Sequence, residues 1–205
     1  MKEINIKQIS VSMMRTNCYV IYNDEGEAVI VDPGDNYTKI KDAIIALKLS
    51  PKAILLTHGH FDHIGAASKL KEVYGINIYA YEDEKQVLNS ADYNLSNIFG
   101  VPIVLEADVY LRDNEEIEII GFKFKVIHTP GHTVGSCCYY LKEYGMMFTG
   151  DTLFAGTHGR YDFPTGNGRH LLESITEKIF SYDDNIDVFP GHNEETTIGS
   201  ERKWY

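Results

Sequence analysis

The chain has 205 residues, enough to bury roughly 70% of the surface its unfolded form would expose, so it needs no disulfides to fold. Its 30 acidic against 19 basic side chains give a net charge of −11. No block of Lys and Arg offsets that charge, which argues against constitutive binding to nucleic acid or to an anionic membrane. With 43% hydrophobic and 24% charged residues, and no linker or low-complexity tract, we expect one domain spanning residues 1–205.

Residues 1–10 lack the apolar stretch of a signal peptide. Strand-like runs, β-branched or aromatic and bounded by Gly, Pro, Asn or Asp, follow at residues 18–22 and 28–31. Between residues 37 and 48, Ile40, Ala43, Ile44 and Leu47 share one helical face, and Pro51 closes the pattern. A strand over 53–57 leads to a helix from Ile64, where Ala67, Leu70 and Val73 recur until Gly75 caps it. Further strands are expected at 76–81, 122–128, 137–141, 146–149 and 187–190, with Leu172, Ile175 and Ile179 helical before the last. The mixture predicts an α/β (α+β) architecture. The acidic groups at 82–84 and 114–116 read as solvated surface. Cys18, Cys137 and Cys138 are odd in number and include an adjacent pair, so inert buried thiols and a reducing, cytoplasmic setting are expected. No run approaches the ~18 apolar residues of a membrane span.

The chemistry concentrates in Thr57-His-Gly-His-Phe-Asp-His63, at a strand-to-helix junction. Residues two apart in an extended segment project to one side, so His58 and His60 can converge, while Asp62 and His63 enter the helix and aim at a neighbouring point. Imidazole and carboxylate donors suit borderline metals such as zinc, iron or manganese. Three further candidates follow strand ends in Gly-containing turns: His132 in Thr129-Pro-Gly-His132, Asp151 after Gly150, and His192 in Pro190-Gly-His192. Together these make seven N/O ligands, enough for two divalent ions sharing a carboxylate bridge.

His-x-His-x-Asp-His, followed by separated His, Asp and His, resembles the signature of the metallo-β-lactamase superfamily over nearly the whole chain. The resemblance implies a four-layer αββα sandwich with two metals at one edge of the sheets. It implies that His58, His60 and His132 hold one ion, that Asp62, His63 and His192 hold the other, and that Asp151 bridges. Asp32 would brace the metal loop without being a ligand, and Asp62 would orient the attacking hydroxide. Gly150-Asp-Thr-Leu-Phe-Ala-Gly156, Gly159-Arg-Tyr-Asp-Phe163 and Pro190-Gly-His-Asn-Glu-Glu-Thr-Thr-Ile-Gly199 resemble short glyoxalase II-like (hydroxyacylglutathione hydrolase-like) enzymes. The implied activity is hydrolysis of a small acyl thioester by two divalent ions, zinc first and iron or manganese next.

Full-length glyoxalase II carries a helical extension that helps grip glutathione, whereas seven residues follow Ile198 here. A weak hold on the glutathione part is therefore expected. Arg160 can touch an anionic substrate or pair with Asp162 to brace its loop, and bracing is favoured. His128 reads as a satisfied polar residue in preference to one that orients a ligand. One alternative activity stays open, because persulfide dioxygenases resemble the same motif and hold one iron with the equivalents of His58, His132 and Asp151.

Overall fold

The structure, a computed structural model, describes residues 3–205; Met1 and Lys2 of the 1–10 segment lie outside the described residues. Two six-stranded sheets organise the chain. The first runs β1 (Asn5–Val11), β2 (Thr16–Tyr22), β3 (Glu27–Val31), β4 (Ser50–Leu55), β5 (Asn77–Tyr81) and β6 (Val109–Leu111) in that spatial order. Its first three strands are antiparallel, and β3 to β6 are parallel. The second contains β7 (Glu116–Ile119), β8 (Phe122–His128), β9 (Cys137–Leu141), β10 (Met146–Gly150), β11 (Asp187–Pro190) and β12 (Thr196–Thr197), again in order. All its neighbours are antiparallel except β10 and β11. Helices α1 (Tyr37–Ala46), α2 (Phe61–Ile64), α3 (Ala67–Tyr74), α4 (Lys85–Leu88), α5 (Gly168–Glu173) and α6 (Ile198–Glu201) complete the chain.

The period-2 alternation of strand side chains explains the layers. On β2, Cys18 and Val20 pack outward with Ile40 and Ile44 of α1 and Leu70 of α3. Tyr19 and Ile21 point the other way, into a core shared with Phe122, Phe124, Tyr139 and Phe148 of the second sheet. On that sheet's far face Ile127, Cys138, Met147 and Val188 pack against Leu171, Ile175, Ile179 and Ile198. Both faces of both sheets are thus covered, which is why the central strands read as unbroken apolar runs. This is the expected αββα sandwich.

Several elements differ in detail from the sequence reading. Strand β1 was not anticipated, because only Ile9 and Val11 of its seven residues are fully buried and its apolar signal is thin. The short β6, β7 and β12 were not anticipated either. Pro51 lies inside β4 and does not end the helix; it pairs with Ala28 where the parallel register shifts, so its missing N–H breaks no regular ladder. Leu47, Val73 and Leu172 are 40%, 46% and 46% exposed and leave the expected apolar faces. For Leu172 the cause is phase: Leu171, four residues before Ile175, is the buried one, and α5 runs on into a π-helical turn over Ser174–Lys178. Gly75 caps α3 as expected, in the left-handed region at φ 65° and with its N–H on Lys71 O.

Candidate metal centre

In each sheet the strands that end in ligands run the same way, so their C-terminal ends gather the chemistry at one edge. Asp32 follows β3, and the His58–His60 segment follows β4, its parallel neighbour. His132, Asp151 and His192 follow β8, β10 and β11; β8 is antiparallel to β9 and β9 to β10, so these three strands share a direction. All seven expected ligands meet, and six are buried; His192 is partly exposed.

Two groups form. His58, His60 and His132 offer nitrogens within 4.8 Å of one another, and Asp62, His63 and His192 offer a second set at the same limit. Asp151 lies between them. Its Oδ2 is 3.4 Å from His132 Nε2 and 3.5 Å from His192 Nε2, and its Oδ1 is 3.3 Å from His63 Nε2. His58 Nε2, His60 Nε2 and Asp151 Oδ1 are buried and make no hydrogen bond. Buried polar atoms without partners are costly, and imidazole and carboxylate atoms left unpaired within such a cluster fit a cation. Asp32, His58 and His63 also lie close enough to hold an ion. Both Asp32 oxygens are engaged, however: Oδ1 accepts from Thr57 N at 2.8 Å, and Oδ2 accepts from Thr57 Oγ1 at 2.6 Å and faces His63 Nδ1 at 2.9 Å. Asp32 is a brace, as the resemblance implied.

Outer partners fix several of the ligands. His132 Nδ1 donates to the carbonyl of Arg160 at 2.6 Å, which turns its Nε2 lone pair toward the cluster. His63 Nδ1 donates to Asp32, leaving Nε2 inward. Thr16 Oγ1 donates to Asp62 Oδ2 at 2.7 Å. The His192 loop is tied to β2, since Asn17 Nδ2 and Tyr19 Oη both donate to Pro190 O. Gly191 lets that loop approach, because a Cβ there would come 2.3 Å from Asp151 Oδ1.

The electrostatics describe a site short of positive charge. Burial, and then the neighbouring imidazoles, hold His58 and His60 well below the usual histidine range. Burial opposes charge on His63 too, but Asp62, Asp151 and Asp32 outweigh it and raise that histidine well above its usual range. His192 rises to about 9 because Asp151 and Asp62 overcome its burial. Burial penalises the Asp62 carboxylate, yet His63, His192 and Thr16 bring it down to about 2. The two carboxylates therefore stay ionised and draw protons to positions that divalent cations would neutralise.

Glu84 corrects the sequence reading. The acidic run 82–84 was assigned to solvated surface, and Glu82 and Asp83 are exposed, but Glu84 is fully buried. It accepts from Gly59 N at 2.7 Å, Thr133 Oγ1 at 2.8 Å and Gly135 N at 2.9 Å, tying the His58–His60 segment to the His132 loop. Its position three residues after an expected strand was the only available hint. The 114–116 group is exposed as expected. Arg160 braces: its guanidinium bonds both oxygens of Asp162 at 2.9 and 2.7 Å and covers the Phe163 ring. His128 is satisfied by Val134 O and stacks on Tyr81, touching no ligand. The three cysteines are free and buried, and burial raises all three thiols, Cys138 to about 11. Among the described residues no helix is long and apolar enough to cross a membrane.

Fold and cluster together define a metal-binding hydrolase of the αββα class. Residues 13–192 match the Metallo-beta-lactamase superfamily, and the chain belongs to it. It is 39% identical to the hydroxyacylglutathione hydrolase GloC of Haemophilus influenzae, over 98% of this chain and 96% of that protein. Among solved structures it is similar to BLEG-1 B3 metallo-beta-lactamase, with a TM-score of 0.93 and 40% identity over 97% of each chain. It is also similar to TTHA1623 in a di-iron-bound form, with a TM-score of 0.86 and 32% identity over 96% of this chain and 97% of that one.

Proposed function

We propose that this protein hydrolyses small acyl thioesters with two divalent metal ions held by His58, His60, His132, Asp62, His63, His192 and Asp151. The observation that carries the reading is the place of Asp151, whose oxygens lie within 3.5 Å of imidazole nitrogens from both ligand groups. When bound, such ions supply Lewis acidity and lower the pKa of water toward neutrality. Zinc is the first candidate, with iron and manganese next; the di-iron form of TTHA1623 supports a pair of ions.

The protein's own groups divide the remaining work. Asp62, anchored by Thr16 and ionised at neutral pH, accepts a hydrogen bond from the attacking water and orients it. Two divalent ions against Asp62 and Asp151 leave surplus positive charge, which favours a leaving group that departs as an anion. A thiolate does so without a proton donor, and the 39% identity to a hydroxyacylglutathione hydrolase supports the thioester class. The one-iron dioxygenase reading uses only His58, His132 and Asp151, and the identity to a hydroxyacylglutathione hydrolase favours the hydrolase. No nucleic-acid partner is proposed for a chain of net charge −11, and the free buried thiols support a cytoplasmic setting.

The test is turnover of S-lactoylglutathione and of a minimal acetyl thioester by protein supplied with zinc, iron or manganese. Hydrolysis of either, abolished by chelator and restored by metal, is expected. Turnover of neither contradicts the proposal.

A further inference from the structure

We infer that the substrate carries an apolar arm, and that this arm lies on a wall formed by Phe61, Phe99, Ile98 and Met14; the inference rests on the thioesterase reading. A cleft of about 570 Å³ has His60, Asp62, His132, Asp151 and His192 among its lining, and those four apolar side chains line it as well. The Phe61 and Phe99 rings stack at 4.3 Å. Ile98 is 74% exposed, Met14 49% and Phe99 46%. Large apolar side chains gathered in the open beside a reactive centre mark a surface that something apolar covers.

The wall is fixed relative to the metal centre. Phe61 precedes Asp62 on α2, and its N–H donates to Asn94 O at 2.9 Å. Asn94 is fully buried, and its side chain donates to Ile103 O and accepts from Ser96 N, holding the turn that presents Ile98 and Phe99. Ser96 Oγ accepts from Ile103 N at 2.8 Å and closes that turn. The apolar surface also continues beyond the candidate metal centre. Phe61 and Phe99 are shared with a second cleft of about 400 Å³ that Met13, Val101 and Ile103 help to line.

The same cleft offers little to an anionic carrier. Arg160 is the only lysine or arginine among the described residues lining it. Its guanidinium is already bound to both oxygens of Asp162 and laid over Phe163. No other lysine or arginine among the described residues lining the cleft remains for the carboxylates of a glutathione-like thiol. An alkyl or aryl group of several carbons suits the stacked rings, and it can be the acyl part or the thiol part of the thioester.

Two substrate series distinguish those sources in metal-loaded protein. One lengthens the acyl group from acetyl to hexanoyl and phenylacetyl on N-acetylcysteamine; the other keeps acetyl and lengthens an uncharged alkyl or benzyl thiol. In the series that carries the arm, kcat/KM should rise about two- to fourfold per added methylene, chiefly through KM. Phe99→Ala and Ile98→Ser should cut the advantage of the longest member over the shortest by roughly fivefold or more. The same compounds made as unreactive thioethers and titrated by calorimetry should follow the same order, which reads the wall without turnover. Turnover with no length dependence in either series, a flat thioether series, or a preference for S-lactoylglutathione over uncharged thioesters of equal length overturns the apolar arm. Absence of any thioester turnover overturns the thioesterase reading instead, and the thioether series still decides the wall.

Discussion

Glu84 is a buried carboxylate whose removal can be costed from its contacts. It receives two backbone N–H groups and one hydroxyl, from Gly59, Gly135 and Thr133. In Glu84→Ala both amides lose their acceptor in a buried place, at about 1–3 kcal/mol each, and a cavity adds to that, giving a loss on the order of 3–5 kcal/mol. Glu84→Gln keeps the shape and one acceptor, but its amide group faces donors. Burial pushes the Glu84 carboxyl up to about 7 from a usual 4.5, although its hydrogen bonds pull the other way. A folded-state pKa above the unfolded one means that the folded chain holds the proton more tightly. The resulting stability is present below about pH 4.5 and is lost as pH rises through about 7. Between pH 5 and 8 the wild type should therefore lose about 2–3 kcal/mol relative to Glu84→Gln, which cannot titrate. Urea unfolding of both proteins in chelator at the two pH values measures this difference, and histidine titration shared by both cancels. A difference that stays constant with pH would refute the assignment of Glu84 as a burial-strained acid.

Asp151→Ala should lower metal content more than alanine at any single histidine, because it removes the shared ligand and one negative charge together. Elemental analysis of the set checks the order, and full occupancy in Asp151→Ala would show that it does not bridge. Gly191→Ala should also lose metal, since its Cβ would lie 2.3 Å from Asp151 Oδ1 and 2.7 Å from His63 Cε1. Metal content and turnover like the wild type in Gly191→Ala would show that the loop shifts freely. Leu70→Ala, in the core beneath α3, should cost about 2–5 kcal/mol in urea unfolding without changing metal stoichiometry.

The ligands were legible because most follow the end of an apolar strand, a pattern that burial of both sheet faces makes conspicuous. His58, His60, Asp62 and His63 stood out from local spacing alone, while His132, Asp151 and His192 gained meaning from their order along the chain. Asp32 was readable as a brace only through the family resemblance; the bonds to Thr57 and His63 supply its physical reason. Glu84 was not legible, because an acidic residue beside two solvated ones gives no sign that it turns inward toward Gly59 and Gly135. The wall of Phe61, Ile98 and Phe99 was hidden for the opposite reason. Apolar side chains suggest core, and only the three-dimensional arrangement shows Ile98 and Phe99 in the open. Leu172 was misplaced because spacings of three and four both suit a helical face, and it is Leu171, four residues before Ile175, that takes the buried position.

The central claim is that seven side chains hold two ions, and metal stoichiometry tests it most directly. Protein produced with zinc, iron or manganese supplied in excess should carry about two ions per chain by elemental analysis, with thioester hydrolysis rising as the second ion binds. A stoichiometry fixed at one, with iron alone supporting activity, would contradict the account.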